Sequence, residues 1–216
     1  MSMSGAPLPP GRVVLRPIGT PLPLGFFALT GATTLMSGLQ LGWFPAADAR
    51  TVGLAILAFA VVPQAIACVL GLLARDVVVG TGMGVLTGTW LAFGLVLVSG
   101  PAAAASAPLG ALLVVAGCAM AAPAIGAAMG KVVPALVLAT TSVRFLCTGV
   151  YELSGSDAWR VLSGWIGVVL AAVSAYAALA LVLEDVAGRA LLPVLRRPAG
   201  RRVAPGEGEA GVRRGV

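Results

Sequence analysis

Apolar runs of about 20 residues alternate along this chain with short breaks of glycine, proline and charge. The runs fall at about 24–44, 52–74, 77–99, 107–129, 132–151 and 161–184, each long enough to cross a bilayer as a helix. They are continuously apolar and lack the period-two alternation of a membrane β-strand. Arg75-Asp76 leaves room only for a tight turn, Gly100-Pro101 to Ala107-Pro108 makes a longer loop, and Gly130-Lys131 and Ser154–Asp157 break the last runs. The pattern predicts an all-α integral membrane protein of six transmembrane helices.

Composition agrees. Only 10% of the residues are charged, well below the quarter usual for soluble domains, and the mean hydropathy is +1.01. The net charge of +6 does not point to nucleic acid, because Arg196, Arg197, Arg201, Arg202, Arg213 and Arg214 share one Pro/Gly-rich tail after the last run. A basic tail in that position signals topology and lipid headgroups. With both termini cytoplasmic, those six residues join Arg12, Arg16, Arg75, Lys131 and Arg189 on the inner side, and only Arg50 and Arg160 face out. The expected layout is a disordered cytoplasmic N-terminus over 1–19, a transport domain over 20–195, and a disordered basic cytoplasmic tail over 196–216. The first run exceeds the roughly 7–15 residues of a signal-peptide core and is read as a retained span.

Candidate chemistry is sparse. Histidine is absent, and Cys68, Cys118 and Cys147 all lie within apolar runs, which suits packing rather than a disulfide framework. The acids Asp48, Asp76, Glu152, Asp157, Glu184 and Asp185 fall at span ends or in loops. No catalytic constellation, metal-ligand cluster or phosphate-binding loop is visible, so neither an enzyme nor a cofactor or metal is expected. Gly80, Gly84 and Gly88 recur at four-residue spacing, a device for close helix approach. Pro63 and Pro123 are expected to kink their helices. Val85–Trp90 and Val161–Trp165 share a short likeness that would fit an inverted 3+3 repeat.

Three features carry functional weight. In Thr20-Pro21-Leu22-Pro23-Leu24-Gly25, two prolines one residue apart cannot both sit inside a regular helix, which suits an entry segment at a membrane mouth with Thr20 beside it. Gln40, Gln64, Thr87, Thr89, Thr140, Thr141 and Ser142 are polar residues within spans. Most hydroxyls in such helices bond their own backbone, whereas Gln64 suits either an interhelical bond or a pore lining. Arg144 is the sharpest feature, since a guanidinium amid an apolar helix costs at least about 2.5–3.5 kcal/mol unless it finds water or an anion. It suits pairing with Glu152, snorkelling to an interface, or a fixed charge that attracts a carboxylate.

The opening motif resembles the acetate uptake transporter family, the YaaH-like succinate–acetate permeases. That family's signature is Asn-Pro-Ala-Pro-Leu-Gly-Leu, where this chain has Thr20-Pro21-Leu22-Pro23-Leu24-Gly25-Phe26. Gly164-Trp165-Ile166-Gly167 and Gly188-Arg189-Ala190-Leu191-Leu192-Pro193 resemble the family's ending, so the likeness spans about residues 19–195. The resemblance implies transport of acetate, and of succinate, through a pore within each protomer of a plasma-membrane hexamer, by proton symport or as an anion channel. By rough matching it places Leu29 and Leu86 at the pore's apolar neck, which would gate by dewetting. Thr20 stands in place of the signature asparagine. The functional expectation is a carrier of small carboxylates, with the bilayer and protons as its other partners. Its site would comprise Thr20, Pro21, Leu24, Gly25, Leu29, Gln64, Leu86, Thr87 and Arg144. The rival readings are a channel for another small anion or neutral solute, and a non-transporting scaffold.

Overall fold

The computed structural model describes residues 13–14, 19–100, 104–195 and 212–213. Among these residues six helices are long and apolar enough to cross a membrane: α1 Leu22–Gln40, α2 Ala46–Leu73, α3 Val77–Ser99, α4 Ala107–Ala128, α5 Val132–Ser154 and α6 Asp157–Ala187. All six runs seen in the sequence are helices. The protein is an all-α, multi-pass membrane protein. Val13–Val14 pairs antiparallel with Val212–Arg213 in a two-residue ladder. The expected disorder of 1–19 and 196–216 otherwise lies outside the described residues, save Gly19.

The helix ends follow local chemistry. Helix α1 begins two residues earlier than the sequence reading: Pro21 is its N-cap and Pro23 lies in its first turn, where a missing N–H costs no intrahelical bond. The α2–α3 connection is a tight turn with Arg75 at φ +58°, and the Asp76 carboxylate caps α3 by accepting the Val79 N–H at 3.0 Å. Gly155 and Gly188 end α5 and α6 in the left-handed conformation, at φ 66° and 63°, which glycine adopts without Cβ strain. Pro63 lacks the donor for the Phe59 carbonyl and its ring crowds it. The register widens to a π-helical segment over Leu57–Val61 just before it, so α2 accommodates the proline without breaking.

Each helix packs on the next in sequence, and α6 returns to α1, so the six close into a ring. Phe26, Leu29, Met83, Leu86, Trp90, Leu113, Phe145 and Leu170 fill its interior, each fully buried. Large apolar side chains also cover the outside, among them Phe59, Leu73, Val115, Ile125 and Val186, as a lipid-facing surface demands. Trp43 and Trp165 meet edge to face at 6.4 Å and stay more than half exposed, at the end of the ring away from the chain termini. Such a pair suits a membrane–water boundary.

Glycines set the closest helix approaches. Of the four-spaced series in α3, Gly80 packs against Leu72 and Gly84 against Cys68, whereas Gly88 opens onto the surface. A tight backbone approach joins α4 to α5, where a Cβ on Gly110 would lie 2.9 Å from the Gly149 carbonyl oxygen. A backbone oxygen cannot rotate away. Gly110→Ala is therefore expected to lower stability by about 1–3 kcal/mol, read as an earlier thermal transition of the purified protein.

A buried cation as the candidate functional site

Arg144 sits on α5 near mid-span and is 2% exposed. Helix α1 supplies its partners: Nη2 donates to Ser37 Oγ and to Gln40 Oε1, each at 3.4 Å. Helix α3 supplies an aromatic face, with the Trp90 ring centroid 5.7 Å from the guanidinium carbon. Helix α6 supplies the space. A Cβ on Gly167 would fall 2.1 Å from Ser37 Oγ and 2.8 Å from Arg144 Cζ, so only glycine leaves room for the guanidinium here.

A polar network fixes this arrangement. Gln40 Nε2 donates to Ser163 Oγ at 3.3 Å, and Ser163 is hydrogen-bonded to Thr148, whose hydroxyl donates to the Arg144 carbonyl at 2.9 Å. The Arg160 guanidinium donates to the Gln40 carbonyl, near the C-terminus of α1, where a cation complements the helix dipole. Arg160 also pairs at 2.9 Å with the exposed Asp157. Hydrogen bonds thus run from the surface at Asp157 to the buried Arg144.

No carboxylate among the described residues pairs with Arg144, and its Nε and Nη1 have no hydrogen-bond partner. The pairing with Glu152 that the sequence allowed is not made. Glu152 instead accepts the Ser106 N–H at 2.7 Å, holding the α3–α4 loop to α5. Eight residues of helix separate the two, about 12 Å along the axis, too far for contact. Snorkelling is also absent, because the guanidinium lies inside the ring.

The other expected site residues divide. Gln64 Nε2 donates to the Gly25 carbonyl at 3.4 Å, tying α2 to the opening motif, while its Oε1 has no partner among the described residues. Gly25 is itself packed against Met83, whose sulfur would lie 2.2 Å from a Cβ there. Pro21 is buried, Thr20 half-buried and Leu24 41% exposed. Leu29 and Leu86 are both fully buried in the shared core. Thr87 donates to the Met83 carbonyl of its own helix at 2.7 Å, and Thr89 and Thr141 bond their own helices likewise. Ser37, Thr148, Ser163 and Gly167 join the site although none of them is among the site residues expected from the sequence. For Ser37 the advance signal is its spacing from Gln40 on one face of α1, and for Gly167 its place in the family-like ending.

A closed ring of six membrane helices around a buried, incompletely bonded cation defines the class: a polytopic membrane protein with a charged interior. The architecture is that of the bacterial acetate channel SatP, which superposes with a TM-score of 0.71 at 22% identity over 82% of this chain and 99% of that one. The likeness agrees with the family resemblance carried by Thr20–Phe26. No family profile and no curated sequence matches the chain.

Proposed function

We propose that this protein carries small carboxylates, acetate foremost, across the plasma membrane. The observation that carries this reading is Arg144, a buried guanidinium with Nε and Nη1 unpartnered, inside a helix ring shared with an acetate channel. A permanent positive charge in an apolar interior lowers the barrier for an anion and disfavours cations. The Thr20–Gly25 segment and Gln64 form the mouth at the end of the ring that carries the chain termini. Leu29 and Leu86 form an aliphatic neck that passes a small solute and dewets when empty. In this reading the termini are cytoplasmic and the protomers assemble as a hexamer, as the family resemblance implies.

Labelled acetate uptake into proteoliposomes tests the proposal. Saturable uptake that rises with an inward proton gradient means coupled symport; uptake indifferent to the gradient means a channel. Absence of acetate uptake in either condition overturns the carboxylate reading.

A further inference from the structure

Resting on the carboxylate reading above, the geometry points to a three-donor cradle, formed by Thr33, Trp90 and Arg144, that holds a short monocarboxylate beside the leucine neck. The three side chains are 0%, 1% and 2% exposed, and each carries a polar atom without a partner among the described residues: Thr33 Oγ1, Trp90 Nε1, and Arg144 Nε and Nη1. Buried polar atoms are rarely left unpaired, because each forfeits its hydration without return. Here they come from three different helices, which meet at Arg144. Arg144 lies over the Trp90 ring and bonds Ser37, and Thr33 stands one turn from Ser37 on the same face of α1.

The chemistry of these atoms selects the ligand. The indole and guanidinium groups only donate, and the threonine hydroxyl adapts. A cation would be repelled, and an apolar solute would leave every donor unpaired. An acceptor with negative charge on two oxygens satisfies donors arriving from several directions. Ser37 and Gln40 already hold Nη2, which fixes how the remaining N–H groups are presented.

The surroundings select its size. Thr33 follows Leu29 by one helical turn and Trp90 follows Leu86 by one turn, so the cradle sits directly beside the two leucines on the side away from the chain termini. Phe145 closes on Trp90 edge to face at 6.3 Å. That wall is apolar, which matches a methyl or ethyl group in polarity. The second carboxylate of a dicarboxylate would be pressed against Leu29, Leu86 or Phe145 without a counter-charge. The cradle therefore prefers acetate or propionate to succinate.

The test measures binding of labelled acetate to the purified full-length protein, with succinate and chloride as competitors, alongside acetate flux in liposomes. Trp90→Phe keeps an aromatic ring and removes the N–H; Thr33→Val keeps the shape and removes the hydroxyl. Each is expected to weaken acetate binding roughly tenfold, and succinate and chloride are expected to compete at least about tenfold less well than propionate. If Trp90→Phe does not fold, Thr33→Val carries the test alone. Wild-type affinity in the variants, with acetate flux intact, overturns the cradle and leaves the transport reading standing. Chloride competing as well as propionate overturns the carboxylate assignment of the cradle. A wild-type protein that neither binds nor carries acetate overturns the transport reading and the cradle with it.

Discussion

Arg144→Leu is expected to cut acetate flux by roughly 10- to 100-fold while leaving the protein as stable as before, or more so. The flux estimate follows from losing charge-assisted hydrogen bonds to the passing anion, each worth about 1.5–3 kcal/mol. The stability estimate has the opposite sign. Arg144 makes only two long bonds, at 3.4 Å, and leaves Nε and Nη1 unpartnered, so its burial is poorly compensated. Replacing such a group by an apolar side chain of similar size is often neutral or stabilising. A charge kept at a net cost to folding is the mark of a functional group. Flux and thermal unfolding measured on the same preparation separate the two readings. A large fall in unfolding temperature with a matching fall in flux would make Arg144 a structural residue. Arg144→Lys retains the charge but not the planar fork held by Ser37 and Gln40, and an intermediate flux is expected of it.

Most of the fold was legible because lipid imposes a severe rule: a spanning segment must be long, apolar and internally hydrogen-bonded. The six runs therefore became six helices, and the Arg75-Asp76 pair became a tight turn, with Asp76 as the cap. The ends were less legible where proline is involved. Pro21 and Pro23 read as an approach to the first helix, yet a first turn has no intrahelical donors to lose, and the helix starts at Leu22. Pro63 reads as a kink, and the helix meets it with a π-helical turn over Leu57–Val61, a widening that a lone proline does not announce in sequence.

The site was half legible. Arg144 stands out in any reading of its helix, because a lone cation amid apolar residues has a known cost. Its partners do not stand out. Which hydroxyl meets it depends on helix rotation and on which helices neighbour one another, and neither is written in a single run. Glu152 looked like a partner because it was the nearest acid in sequence, but rise along the helix places it beyond reach and against Ser106. Gly167 was legible only as part of a family-like ending. Its role depends on Ser37 and Arg144, which lie 130 and 23 positions away in sequence.

Gly167→Ala is expected to lower acetate flux at least about tenfold with only a small change in thermal stability. The new Cβ would lie 2.1 Å from Ser37 Oγ and 2.8 Å from both Cζ and Nε of Arg144, closer than atoms tolerate. These are ends of side chains rather than backbone, unlike the carbonyl that opposes a Cβ at Gly110, so the clash is relieved by moving them. The helices stay in place and the guanidinium is pushed off its bonds to Ser37 and Gln40. Activity is thus lost through position, at low structural cost. The double variant Gly167→Ala with Ser37→Ala removes the nearest clashing atom. Because the two sites touch, their effects are not additive, and the double variant is expected to recover part of the flux lost by Gly167→Ala. Additive losses in that cycle, or a fall in stability as large as that of Gly110→Ala, would mean that Gly167 serves helix packing and not the seating of Arg144.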